Sequence, residues 1–400
     1  MRGFFIILSA VSVFLLLFGC GDGSKKTSYL PGKVANPQPA QNALDVPVTA
    51  ILTWTVSERT DSYDVYFGSG ANAVTNATRF SAEFKGNQTD LSYDPPGDLD
   101  QSMIYYWRID SLNSFGTTRG DVWFFMTVLD ANAICVDDAN GNDNNNGLSW
   151  STAVKTVQKG LDLASDGWVV LVARGTYKGA GNKSLEFAGK AVRLSGVGGA
   201  ANCVIDCESD GRAFYFHSGE TSSTILEGMT IQNGRITVGG GIRCENSSSP
   251  TIRNCVIQSC TAEGDCGGGI YCNNSSPTIS GCIIAGNSAG DGGGVYCRDS
   301  SNVTITDCTI ANNSVSSRGG GVFCSYSDVT ISNCEISNNS SSGYDYGGGG
   351  ICCFDGRVFV ISCTITSNSS YWNGGGIYIC IWWPRSLSEY QPQKSQILHA

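Results

Sequence analysis

A six-residue phrase present in six copies restricts this chain to one kind of architecture. Gly239-Gly240-Gly241-Ile242-Arg243-Cys244 recurs, with small variations, from Gly267, Gly292, Gly319, Gly348 and Gly374. Successive copies begin 28, 25, 27, 29 and 26 residues apart. A unit of that length cannot enclose its own apolar side, so it must stack on copies of itself. Five of the six copies carry a second phrase downstream, of the type Thr278-Ile279-Ser280-Gly281-Cys282-Ile283-Ile284. Short β-branched runs of alternating polarity read as strands of a few residues. The expectation is three strands per repeat, forming one coil of a solenoid.

Two columns of residues specify how the coils turn and stack. The residue before the second cysteine is Asn254, Gly281, Asp307, Asn333 and Ser362 in successive copies. Asn, Asp and Gly tolerate the left-handed backbone that a one-residue bend requires. Five residues beyond that cysteine stand Cys260, Asn287, Asn313, Asn339 and Asn368. Asparagines stacked at the inter-strand spacing of ~4.8 Å can hydrogen-bond along the stack.

The 18 cysteines follow the same register. Cys244, Cys272, Cys297, Cys324 and Cys353 form one column and Cys255, Cys282, Cys308, Cys334 and Cys363 another. Alternation from the inward Ile places the first column inside the coil. Parallel Cβ atoms ~4.8 Å apart suit a disulfide poorly, since it wants ~3.5–4.5 Å and converging bonds. The expectation is buried free thiols, with Cys203 and Cys207 as a candidate local bridge.

The glycine and cysteine phrases resemble those of right-handed parallel β-helix proteins, the pectate-lyase-like fold, and of polymorphic outer-membrane protein repeats. The resemblance covers roughly Ile134 to Ile379. It implies a β-helix over 133–380, and a fold shared by lyases, hydrolases, adhesins and tailspikes. In related enzymes the outer face of the Ile-x-Cys strand forms the cleft. Here that position holds Arg243, Tyr271, Tyr296, Phe323, Cys352 and Tyr378. Tyr271, Tyr296, Phe323 and Tyr378 are therefore the candidate glycan platform. The alternative is rung-to-rung stacking that stabilises the sheet by ~0.5–1.5 kcal/mol per pair.

Residues 36–128 have a different texture. Leu52–Val56, Tyr63–Phe67, Tyr105–Ile109 and Val122–Met126 alternate as strands with one buried face. They resemble a fibronectin type III module, with Leu99 and Tyr105 spaced as in that family's tyrosine corner. The fold class expected is thus all-β, a β-sandwich followed by a parallel β-helix. Thr152–Ala164 places Val154, Val157, Leu161 and Ala164 on one helical face and is expected to cap the first coil.

Residues 1–20 carry Arg2 and an apolar run too short to span a bilayer. Leu17, Gly19 and Cys20 resemble a lipoprotein signal, which implies acylation of Cys20 and attachment to a bacterial outer membrane or cell surface. Residues 21–35 would be the tether and 381–400 an irregular tail. The net charge of −10 argues against nucleic acid as a partner. Asp137, Asp138, Asn140 and Asp143 offer oxygen ligands to Ca²⁺, although Asp, Asn and Gly also simply make turns. No other cofactor is expected. Two histidines, His217 and His399, leave little material for a catalytic triad. The leading expectation is an exported, lipid-anchored, non-catalytic module that binds glycans or cell-surface partners. The alternative is a polysaccharide lyase or glycoside hydrolase whose site gathers Asp206, Glu208, Asp210 and Arg212.

Overall fold

The computed structural model describes residues 29–343, 347–372 and 374–380. The expected leader with Cys20, most of the tether, Asp345 and the tail 381–400 lie outside the described residues. Among those residues the repeats form a parallel solenoid. One sheet holds nine strands, from Ala133–Val136 to Arg357–Ile361, and a second holds eight, from Gly175–Tyr177 to Thr364–Thr366. A third holds six, from Arg235–Val238 to Ser369–Ser370, and a fourth seven, from Phe214–Phe216 to Ile377–Cys380.

The three-strand expectation is corrected to four strands per coil through the repeats. The added strand is short, as in Ser288–Ala289 and Ser314–Val315. It arises because each coil contains a second left-handed bend. The first bend is at Asn254, Gly281, Asp307, Asn333 and Ser362, where φ runs from 52° to 59°. The second is at Ser259, Gly286, Asn312, Asn338 and Ser367, with φ from 54° to 65°. One left-handed residue redirects the chain without a loop, so two of them set three strands in sequence.

Along the fourth sheet stacking is in register. Cys272 lies opposite Cys297, Cys297 opposite Cys324, and Cys324 opposite Cys353. This column is fully buried, and every described cysteine is a free thiol, Cys203 and Cys207 included. The second cysteine column accepts as well as fills. The Cys282 and Cys308 amides donate to the sulfur one coil ahead, at 3.4 Å each. The asparagine ladder is present. Asn287 and Asn313 are fully buried, and Asn313 Oδ1 accepts from both the amide and the side chain of Asn287 at 3.0 Å. Asn313 Nδ2 in turn donates to Ile284 O at 2.9 Å. The third glycine of each triplet allows this proximity: a Cβ on Gly294 would stand 2.5 Å from the Gly321 carbonyl oxygen.

The first coil is closed by a helix shorter than expected. It spans Val157–Leu163, after a single turn of 3-10 helix at Trp150–Thr152. Val154 is drawn out of the helix into a bridge with Val136. Asp143 accepts from the amides of Lys155 and Thr156 at 2.8 and 2.9 Å, which holds the chain extended up to the Thr156 cap. Val157, Leu161 and Ala164 still cover the coil, joining its core.

Residues 35–127 form a three-stranded sheet and a mixed sheet containing the parallel pair Ala43–Val46 and Val122–Thr127. Leu52 and Trp54 from the first meet Val65, Trp107 and Phe125 from the second in one core. Tyr105 Oη accepts from the Asp100 amide at 3.1 Å and ties the preceding loop to the strand. This unit is seated on the flank of the solenoid. Ile104, Tyr106 and Phe124 share a cluster with Val169, Leu171 and Val197. Arg193 donates to Ser102 O at 2.7 Å across the junction, and Asn72 reaches Gly281 O at 3.3 Å.

Candidate functional site

Outward positions of the fourth sheet divide into two zones. In the later coils Tyr271 and Tyr296 stack at 5.6 Å and Tyr296 and Phe323 at 5.0 Å. These rings are 5%, 6% and 1% exposed. Phe354, Val238 and Cys266 close around them, and Arg318 lies over Phe323 at 5.0 Å, held by Asp291 at 2.6 Å. The premise that the stripe presents open ring faces is therefore corrected: a segment from the preceding edge folds over it. Tyr378, at the last described coil, is only partly buried and meets Phe354 at 6.3 Å. Asp291 is itself 3% exposed, buried with its partner against the rings.

In the earlier coils the same face is polar. The strand Phe214–Phe216 turns Tyr215 outward, directly opposite Arg243 on the next coil. His217 stacks on Tyr215 with ring centroids 4.0 Å apart. The Tyr215 hydroxyl donates a short hydrogen bond to Glu245 Oε1. Arg243 grips Glu245 Oε2 through Nε at 2.9 Å and Nη2 at 2.5 Å. Glu245, 9% exposed, thus has both oxygens engaged. Burial, and then Glu245, raise the pKa of Tyr215, which keeps the phenol protonated as donor. Glu186 sits 3.5 Å from His217 Nε2.

Arg212 is the group this arrangement leaves over. Its guanidinium lies over the Tyr215 ring at 5.0 Å, yet the residue is only 8% exposed and Nη1 is buried without a hydrogen-bond partner. Burial lowers its pKa, and the nearby charge of Arg243 lowers it further; Tyr215 and Glu245 oppose this more weakly. Arg243 is neutralised by Glu245, whereas Arg212 forms no ion pair among the described residues.

The acids expected beside Arg212 go elsewhere. Asp206 accepts from Asn233 at 2.9 Å and from the Glu208 amide at 3.0 Å, with Lys178 at 3.4 Å. Burial alone would raise its carboxyl, but these bonds outweigh it and hold the group below its ordinary value. Glu208 accepts from the Gly179 amide and Asp210 pairs with Lys183. In the Asp137–Gly147 loop, Asp137 accepts from the amides of Ala139 and Asn140, and from the Asn140 side chain. Asp143 is spent on Lys155 and Thr156. Among the described residues no three His, Cys, Asp or Glu gather closely enough to hold a metal.

Sequence reasoning passed over Tyr215 and His217. Two signals were available: the aromatic stripe is interrupted by Arg243 at the first full copy, and the one histidine of the solenoid stands one coil before it.

A family model for the right handed beta helix region matches residues 185–314 and 220–380. The described residues of this span fold as a right-handed β-solenoid. Among solved structures the chain is similar to pectin methylesterase from carrot, at 12% identity and TM-score 0.35, over 62% of this chain and 87% of that one. It is also similar to the family 28 exopolygalacturonase of Yersinia enterocolitica, at 8% identity and TM-score 0.26, over 88% of this chain and 85% of that one. No curated protein matches the chain. The β-helix likeness speaks to the fold, and the site must be argued from its own residues.

Proposed function

We propose that this chain is an exported surface protein, attached through lipidated Cys20, whose β-helix binds glycans without catalysis. The domain of residues 36–128 acts as a fibronectin-like spacer that holds the β-helix away from the membrane. The observation that carries the reading is the Tyr215–His217 stack, partly exposed on an otherwise flat sheet face and bordered by Arg212, Arg243 and Glu186. Stacked rings flanked by fixed polar groups suit a sugar, whose apolar face covers the rings while its hydroxyls meet the rim.

Hydrolysis by paired acids would need two free carboxyl groups facing across a cleft. Glu245 is committed to Tyr215 and Arg243, so the geometry favours binding. The test is a glycan array probed with purified protein, alongside a polysaccharide-degradation screen. Retention of a glycan that Tyr215→Ala abolishes supports the proposal. Release of reducing or unsaturated ends from any polysaccharide would overturn the non-catalytic part. A mature protein whose Cys20 is unmodified by mass spectrometry would overturn the anchor.

A further inference from the structure

Resting on the glycan-binding reading of the same face, we infer that its ligand carries an oxyanion, a carboxylate or a sulfate ester, which is seated on Arg212. Three independent features converge on this residue. It is more than nine-tenths buried, and Nη1 has no partner. A buried guanidinium without an acceptor is costly to the folded state, and such groups are ordinarily paired. The neighbouring acid cannot supply the partner, because Tyr215 and Arg243 hold both Glu245 oxygens. A second guanidinium, that of Arg243, stands 5.3 Å from the Tyr215 ring that Arg212 covers at 5.0 Å, but it is already paired with Glu245, so Arg212 carries the charge left unmatched.

Arg212 keeps 8% of its surface exposed and packs over the Tyr215 ring, and Tyr215 and His217 are both only partly buried. A planar guanidinium offers two parallel donors to a carboxylate or sulfate. An incoming oxyanion would satisfy Arg212 without displacing Glu245 from Arg243. A neutral sugar would leave the arginine as it is. The face therefore discriminates by charge, with the ring pair supplying contact area and Arg212 the selection.

This assignment separates stability from binding. A group kept for structure stabilises the fold; a group kept unpaired for a ligand burdens it. Arg212→Met keeps the length and apolar stem of the side chain and removes the charge, so the unliganded variant should melt at a higher temperature than the parent. Its affinity for the anionic ligand should fall at least tenfold. Arg212→Lys keeps the charge without the planar fork and should fall between the two.

The experiment is calorimetric titration and thermal melting of the full mature protein and both variants. The probes are a hexasaccharide bearing uronate carboxylates, one bearing sulfate esters, a neutral hexasaccharide of the same linkage, and free acetate and sulfate. Tight binding of a charged hexasaccharide, weak binding of the neutral one, and loss in Arg212→Met with a raised melting temperature support the inference. Free acetate or sulfate binding as tightly as the hexasaccharides, again lost in Arg212→Met, supports the anion seat and overturns the glycan reading. Equal binding of charged and neutral hexasaccharides, unchanged in Arg212→Met, overturns the anion seat and leaves the glycan reading standing. A lowered melting temperature in Arg212→Met, with binding intact, makes the arginine structural and overturns the inference. Binding of none of the probes overturns both.

Discussion

The coils around Phe214–Cys244 and those from Gly267 onward share one sheet and use its outward position in opposite ways. In the later coils that position stacks Tyr271, Tyr296 and Phe323 beneath Arg318, and the rings are as inaccessible as a core. In the earlier coils it holds Tyr215 and Arg243, half in solvent, among charges that do not cancel. The interior is alike in both: Phe216, Cys244, Cys272 and Cys297 are all fully buried. Regular repetition therefore builds the scaffold. The place where the repeat breaks its own pattern is where a ligand can be read.

The sharpest way to break this comparison is to truncate the same position in both zones. Phe323→Ala removes a ring that is 1% exposed and should cost about 3–5 kcal/mol. Tyr215→Ala, in the open zone, should cost well under half of that while abolishing glycan retention. Urea denaturation of both variants checks the pair, with retention assayed alongside.

Next in size is the asparagine ladder, which tests whether the later coils act as one stack. Asn313→Leu keeps the heavy-atom count and branching but strips the acceptor from the Asn287 amide and the donor from Ile284 O, both buried. Each orphaned group costs about 1–3 kcal/mol, so a loss of a few kcal/mol is expected. Hydrogen exchange should show opening that centres on the coils of Asn287 and Asn313 and spares the coil of Phe214–Phe216. Uniform opening of the whole β-helix would mean that the two zones are a single cooperative unit.

The smallest effect is acidic. Burial raises the Glu220 carboxyl, but amides of Gly189 and Ser218 and the Ser248 hydroxyl outweigh it and hold its pKa down. A depressed folded value means this group stabilises the protein above the unfolded pKa of ~4.3. That contribution is lost as pH falls from there through the lower folded value. Glu220→Gln should flatten the acid limb of a stability–pH curve below about pH 4, by at most about 1 kcal/mol. The limb should be unchanged if Glu220 is a bystander.

Much of the scaffold was legible because its physics is local and repeated. The glycine triplets, the left-handed column at Asn254 to Asn333 and the asparagine ladder each declare a backbone need that one residue type satisfies. The fourth strand was not legible, because Ser288–Ala289 and Ser340–Ser341 are two small residues long and carry no hydrophobic alternation. The helix was drawn too long because Val154 fits its apolar face; Asp143 and the Val136 bridge decide otherwise, and both are tertiary. The aromatic stripe was placed correctly but its burial was not, since the cover by Val238, Cys266 and Arg318 depends on how each coil's edge packs back over the sheet. The acids beside Arg212 drew the eye by their charge, whereas of the groups that face it Tyr215 is an uncharged ring on the same coil and Arg243 is set by register between coils. What decides the site is a pairing that failed to form, and no sequence pattern records that.

The most direct measurement is an alanine scan of the outward position along the sheet, at Tyr215, Arg243, Tyr271, Tyr296 and Phe323, reading melting temperature and retention of an anionic hexasaccharide in each variant. The account predicts a crossover. Tyr215 and Arg243 variants should lose retention with small changes in melting, and Tyr296 and Phe323 variants should melt early with retention intact below their transition. Retention lost at Tyr296 or Phe323 in a protein of parental melting temperature would contradict it.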